Sequence, residues 1–406
     1  MNIVNVPIDQ VLNWDKNPRT VKTKDLERLK FQIQTLGVYK PLIAVQENGH
    51  FVTLGGNMRL QVLKELGFKE VDLSIVDAPT ETRKLEYALS DNDQVGLYDV
   101  EKLGGLLTLP EIKIELQNFK IDLATPISLP DLIDLYKVVH TPELLDNIPE
   151  QVETKCKSGD LYQLGNHRLL CGDATKKEDV EKLMNGKKAD MVFTDPPYGV
   201  DYGSKNEFLN AFDKGNHIQV PITNDSMPII DMKTFWVTCW NNMKGVMKDG
   251  VSYYICSMHS GELMMMMMTS VYESDLLLKH CLIWVKNNHV LGRSDYNYKH
   301  EPILYGWKKG THNFYGGFQT SVWEYPKPLK SDLHPTMKPI ALISNALKNS
   351  SQQGEIVLDI FAGSGSTLIA CEQMNRICYT MEIDPHYCDV IIARWAQLTG
   401  LKSEKI

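Results

Sequence analysis

The sequence has no apolar run near the roughly 18 residues that cross a bilayer, and its first residues, MNIVNVPIDQ, lack the basic-then-apolar order of an export signal. A cytoplasmic protein without a membrane partner is therefore expected. Its eight cysteines, at 156, 171, 239, 256, 281, 371, 378 and 388, form no Cys-x-x-Cys, and no nearby histidine pair has metal-ligand spacing. Neither a zinc or other metal site nor a disulfide framework is expected, only reduced and mostly buried thiols. No internal repeat is evident. An excess of positive charge is also missing: 43 Lys and Arg against 51 Asp and Glu leave a net of −8, which argues against coating nucleic acid by bulk electrostatics. What is present, 43% hydrophobic and 23% charged residues over 406 positions, is the composition of a globular chain with room for two domains and a connector.

Residues 1–80 read as a small α/β unit. Strand Ile3–Val6 precedes a turn at Asn17-Pro18-Arg19 and a helix over 24–36, whose Leu26, Leu29, Ile33 and Leu36 have the spacing of one buried stripe. Gly37 ends that helix, and a hairpin follows over 41–54 around Glu47-Asn48-Gly49. Gly55-Gly56 opens a second helix, and strand Val71–Val76 completes the unit. Residues 81–156 read as a helical, acidic connector, with 12 Asp and Glu against 6 Lys and Arg between positions 98 and 160. Residues 157–406 alternate strand-like runs with helices, at 168–170, 191–194, 251–256, 281–285, 303–305, 356–360 and 377–381. That alternation predicts a mostly parallel sheet with helices on both faces. The run Met264–Met268 falls in a predicted helix and reads as core filler.

Two motifs carry chemistry. In Val357-Leu358-Asp359-Ile360-Phe361-Ala362-Gly363-Ser364-Gly365-Ser366-Thr367, a buried strand enters a glycine turn and then a helix, setting backbone N–H groups and the positive helix end at the carboxyl edge of the sheet. Leu368 stands where a dinucleotide fingerprint has its third glycine, so a nucleoside ligand is favoured over a pyrophosphate. The next strand ends in Glu382, an acid placed to accept from ribose hydroxyls. In Asp195-Pro196-Pro197-Tyr198, two prolines stiffen the backbone and keep its carbonyls out of any ladder. A carboxylate beside a free carbonyl accepts both hydrogens of an amine on a flat ring, and Tyr198 stacks on that ring.

Together, Asp195–Tyr198 and Phe361–Thr367 resemble the DNA amino-methyltransferases, and their order, with His334-Pro335-Thr336-Met337-Lys338-Pro339 between them, resembles the permuted beta class. Leu170-Cys171-Gly172-Asp173, Trp284-Val285-Lys286, Lys299-His300-Glu301, and Glu382-Ile383-Asp384-Pro385 with Tyr387 extend the match over about 157–397. The resemblance implies a Rossmann-like α/β fold, S-adenosylmethionine as cofactor, double-stranded DNA as partner, a monomer or homodimer, and adenine as target, because the motif begins with Asp where cytosine enzymes more often have Ser. It assigns catalysis to Asp195, Pro196, Pro197 and Tyr198. Phe361, Gly363 and Gly365 would line the methionine end of the cofactor, Glu382 would hold its ribose, Asp173 would meet its adenine, Thr336 with Lys338 would sit near its carboxylate, and Ser366 belongs to the same cofactor-binding set. Lys286, Arg293 and Lys299 fall in stretches available to touch DNA. Cytosine-N4 methylation, methylation of RNA or protein glutamine, and an inert DNA-binding adaptor are the alternatives. The first unit resembles the ParB/sulfiredoxin-like domain, whose relatives use the glycine turn and its arginine, here Arg59, for phosphates; Asn57-Met58 replaces part of the usual pattern. Such fusions occur in phage and mobile elements. Residues 276–340 carry 9 Lys and Arg against 4 Asp and Glu, a positive strip on an acidic chain.

Overall fold

The computed structural model describes residues 2–20, 23–90, 97–98, 100–109, 112, 129–140, 149, 152–199, 228–259, 261–287, 295–326 and 337–406. Arg293 and Thr336 lie outside them. The chain divides into two compact units, Met1–Tyr136 and Lys137–Ile406.

In the first unit, β1 (Asn2–Pro7), β2 (Val11–Asn13), β4 (Leu42–Glu47), β5 (His50–Gly55) and β6 (Glu70–Ile75) form one sheet in the order β1-β6-β4-β5-β2, while β3 (Arg19–Thr20) pairs with β7 (Leu97–Tyr98). The β4–β5 hairpin turns through Asn48 and Gly49, both at positive φ (48° and 82°), as a tight two-residue turn requires. Strand alternation sends Leu42 and Ala44 to one face, under Ile33 of α1 (Thr23–Leu36) and Leu60 and Leu63 of α2 (Asn57–Glu65). Leu36, expected in the buried stripe, is 67% exposed; the stripe stops at Ile33, before the last turn of α1. Val45 and Leu54 belong to a second cluster with Trp14, Leu85 and Leu89 of α3 (Glu81–Ser90), Leu103 and Leu106 of α4 (Val100–Leu107), and Leu132 of α5 (Leu129–His140). The helices expected in a connector thus bury their apolar stripes in this unit, which ends at 136 and not at 80.

The second unit has one ten-stranded sheet, ordered β14-β12-β13-β11-β10-β15-β16-β9-β8-β17. Its strands are β8 (Leu161–Leu164), β9 (His167–Cys171), β10 (Met191–Thr194), β11 (Ser252–Cys256), β12 (Leu277–Val285), β13 (His300–Trp307), β14 (Val322–Glu324), β15 (Ile356–Asp359), β16 (Ile377–Glu382) and β17 (Glu404–Lys405). Five central strands, β11, β10, β15, β16 and β9, are mutually parallel, and antiparallel pairs flank them. Among the described residues its helices are α6 (Lys177–Met184), α7 (Ile229–Val246), α8 (Gly261–Glu273), α9 (Ile340–Ser350), α10 (Ser366–Gln373) and α11 (Pro385–Thr399). β9, β10, β11 and β15 are buried along their whole length; β10, β11 and β15 read as near-continuous apolar runs, whereas β9 opens on His167 and Arg168, whose polar groups are taken up by Glu372 and the Leu183 carbonyl. The methionine run lies in α8, where Met267 is buried but Met265 is exposed, so only part of it fills the core.

Between β10 and β15 the topology reverses: the chain leaves β10 through α7 toward β11 on one side and leaves β15 through α10 toward β16 on the other. At such a switch point the loops diverge and leave a crevice beyond the carboxyl ends of the strands. Among the described residues no helix is long and apolar enough to cross a membrane.

Leu103 is fully buried among the α3, α4 and α5 contacts. Leu103→Ala is expected to cost the first unit about 2–5 kcal/mol in urea unfolding; a loss within about 0.5 kcal/mol, the scale of surface sites, would show that these helices are not part of its core.

Candidate active site

β10 delivers Asp195 to the switch point, and the two prolines follow it out of the sheet. Trp236 of α7 donates its indole N–H to the Pro197 carbonyl at 3.1 Å. Among the described residues nothing donates to the Pro196 carbonyl, so it stays available beside the Asp195 carboxylate. Tyr198 is buried, and its hydroxyl donates to Asp195 Oδ1 at 2.5 Å. Burial and the nearby Asp195 and Glu301 charges push the phenol far above its ordinary pKa, so it stays a donor.

Lys338, only 5% exposed, donates to Asp195 Oδ2 at 2.6 Å and lies 3.3 Å from the Tyr198 hydroxyl, with its ammonium 5.6 Å from the ring centre. Its Nζ is also 3.4 Å from Glu301 Oε2, and Lys286 is paired with Glu301 Oε1. Burial works against the Glu301 charge, but Lys338 and Lys286 outweigh it and hold the carboxyl at about 2. Two acids and two cations therefore form one chain, Asp195–Lys338–Glu301–Lys286, in which every charge has an opposite neighbour.

One strand away, β15 ends in Asp359, 2% exposed, which accepts from the Thr194 hydroxyl at 2.8 Å and the Phe361 N–H at 3.0 Å. Burial is the main cause that lifts this carboxyl to about 6. The loop turns through Gly363 and Gly365, with φ of +51° and +84°. A Cβ on Gly365 would come within 2.9 Å of Ile391, so the left-handed turn and the packing both require glycine. Gly363 N–H donates to Glu382 Oε2 at 2.8 Å and Asp384 N–H to Glu382 Oε1 at 3.0 Å; burial nevertheless raises Glu382 to about 7. Arg394 of α11 reaches under the loop to the Ser364 carbonyl at 3.1 Å and the Ser366 hydroxyl at 3.3 Å. Phe361 packs on Phe235 and Trp240. Gly172 N–H bonds the Glu382 carbonyl at 2.9 Å, which draws the end of β9 to the loop, and Asp173 there accepts from Thr175.

Asp195, Pro196, Tyr198, Phe361, Gly363, Glu382 and Asp173 thus follow adjacent parallel strands, at their carboxyl ends. Three expectations change. Lys338 sits on Asp195, drawn by a carboxylate pair that the linear sequence does not reveal. Lys286 is 4% exposed and neutralised by Glu301, so it is no surface contact for DNA, whereas Lys299 is exposed. Arg59, 9% exposed in the first unit, donates to the carbonyls of Lys40 at 2.6 Å and Pro41 at 3.4 Å, which turns its guanidinium onto the chain itself. Ser366 is buried with its hydroxyl on Arg394. Sequence reasoning missed Trp236, Arg394 and the role of Glu301; Asp359 had left a signal, an acid inside an apolar strand.

The DNA methylase family model matches residues 189–394, half of the chain, and the ParB N-terminal domain model matches residues 1–93. The Type II methyltransferase M.HpaI of Haemophilus parainfluenzae is 26% identical over 258 residues, which are 55% of this chain and 73% of that protein. The Type II methyltransferase M2.MboI of Moraxella bovis is 23% identical over 236 residues, 53% of this chain and 84% of that protein. The crystal structure of the M1.HpyAVI–SAM complex aligns over 56% of this chain and 98% of that one, at 20% identity and a TM-score of 0.40.

The raised Asp359 carboxyl sets a pH dependence. Its charged form is penalised in the folded state, so folding loses stability as pH rises from the unfolded value near 3.8 through about 6. The two-unit gap corresponds to about 3 kcal/mol. Asp359→Asn keeps an acceptor for Thr194 and Phe361 and is expected to be the more stable protein at pH 8, with a flatter slope between pH 4 and 6 in thermal unfolding. An unchanged slope would refute this account.

Proposed function

The chain belongs to the DNA methylase family, and from that premise we propose that it is a site-specific adenine-N6 methyltransferase, moving the methyl group of S-adenosylmethionine to the exocyclic amine of an adenine flipped out of duplex DNA. One observation carries the reading: at the switch point, the open Pro196 carbonyl and the Asp195 carboxylate stand one strand from the glycine loop.

The residues suit the cofactor. Each Glu382 oxygen takes one backbone N–H and keeps lone pairs for the two ribose hydroxyls. Asp173 stands at the end of β9 for the adenine amine, and α10 begins at Ser366 with no side-chain cap, so its N–H groups favour a carboxylate. The bound cofactor supplies an electrophilic methyl group on a sulfonium. Asp195 and Pro196 do the rest: the amine's two N–H groups donate to them, which draws the nitrogen out of the ring plane and frees its lone pair to attack in line. As the N–C bond forms and the C–S bond breaks, the nitrogen sheds a proton, and Asp195 is the base beside it. Tyr198 stacks on the ring, offsetting part of the few kcal/mol that flipping costs. Cytosine-N4 is the second reading, because the family embraces both amines.

Mass spectrometry of nucleosides from cells expressing the protein is expected to show N6-methyladenine and no N4-methylcytosine, and sequencing the same DNA maps the recognised site. Asp195→Ala should abolish the product while cofactor binding persists; absence of both modified bases from the wild-type culture would sink the reading. Glu382, at about 7, must be ionised to accept two hydroxyls, so cofactor affinity should rise from pH 6 to pH 8 with proton release. Calorimetry in buffers of different ionisation enthalpy tests this, and Glu382→Gln should bind more weakly and without the pH slope.

A further inference from the structure

We propose that Lys338 and Glu301 are positioning residues for the transfer: Lys338 holds the Asp195 carboxylate in the resting site, and Glu301 takes the ammonium away when the target amine arrives. The inference rests on the methyl-transfer reading above.

Both Asp195 oxygens already accept hydrogen bonds, Oδ1 from Tyr198 and Oδ2 from Lys338 at 2.6 Å. The incoming amine is a neutral donor and competes there with an ammonium, whose charge-assisted bond is about twice as strong. If Lys338 stayed, its positive charge would also lie beside a nitrogen that becomes positive as the methyl bond forms, where burial leaves little screening. Asp195 can serve the amine only if Lys338 has another anion to go to.

Glu301 is that anion. Its Oε2 is buried and, among the described residues, has no hydrogen-bond donor, although Lys338 Nζ is 3.4 Å away. A shift of about 0.6 Å would close that distance to a charge-assisted bond. Lys286, buried and paired with Oε1, anchors Glu301 and keeps it ionised. Lys338 therefore has a partner at bonding distance and a second just outside it, and it remains paired with an anion in both positions.

A merely structural cluster and a transfer device differ in the sign of one double-mutant cycle. Glu301→Gln removes the second anion and strands Lys338 on Asp195; adding Lys338→Met removes the obstruction and keeps the buried charge balanced. On a duplex carrying the mapped site, with radiolabelled cofactor, Glu301→Gln should lower the single-turnover rate about 30-fold, and the double variant should regain about 10-fold of it. With 2-aminopurine replacing the target adenine and no cofactor present, the fluorescence rise that reports base entry should fall in Glu301→Gln and return in the double variant. A double variant no faster than Glu301→Gln, or a Glu301→Gln protein at the wild-type rate, overturns the inference while wild-type activity leaves the function standing. A wild-type protein that transfers no methyl group to DNA overturns the function itself.

Discussion

The hydrogen bond from Thr194 to Asp359 joins the ends of two strands whose residues lie 165 positions apart, and the site depends on that junction. β10 and β15 pair in parallel through Met191↔Val357 and Val192↔Leu358. Past Thr194 and Asp359 the two strands end, one in the proline loop and the other in the glycine loop. Neither loop has chemistry alone: a carboxylate without a neighbouring electrophile is a turn, and a glycine loop without an acceptor is a place to bind. The pairing is non-local, so it forms only when the whole parallel sheet does, and the site is correspondingly a property of the folded unit.

Charge burial is the second constraint. The carboxyl edge gathers Asp195, Glu301, Asp359 and Glu382 within one crevice region, and each is handled differently. Glu301 is held at about 2 by Lys338 and Lys286, and Asp195 is paired with Lys338. Asp359 has only hydroxyl and amide donors, and its carboxyl rises to about 6. Glu382 has two backbone donors and rises to about 7. An acid set against cations, such as Glu301, is held as an anion, whereas acids supported only by neutral donors lie near neutrality, where a small change in hydrogen bonding decides their charge.

Much of this was legible in the sequence because the governing signals are local. A buried parallel strand reads as a mostly apolar run, and a proline pair or a glycine turn at its end marks a loop; β10, β11, β15 and the apolar stretches of β9 and β16 were readable for that reason. β8, β14 and β17 were not, since they lie at or beside the edges of the sheet and mix polar with apolar residues, as LYQL, VWE and EK. The placement of Lys338 and Lys286 was illegible for another reason. A lysine's partner is set by tertiary contact, and an isolated Lys-Pro or Val-Lys pair carries no trace of the Glu301 carboxylate between them. The extent of the first unit was hidden likewise: acidic, proline-punctuated helices look solvated until their apolar stripes meet Trp14, Val45 and Leu54.

The same placements alter the charge argument. A positive strip over residues 276–340 offered an electrostatic footprint for DNA on a chain of net −8, but two of its nine cations, Lys286 and Lys338, are internal. Of the others described, Lys308 pairs with Asp249 at 3.0 Å, Lys309 with Asp275 at 2.5 Å, and Lys279 lies 5.2 Å from the centre of the Trp307 ring. Lys299 is the exposed cation of the strip that stands immediately before β13, at the edge where β11 ends beside Asp195. Within the described part of the strip the exposed cations are therefore Lys279, Lys299 and Lys309, fewer than the sequence count of nine offers for neutralising phosphates.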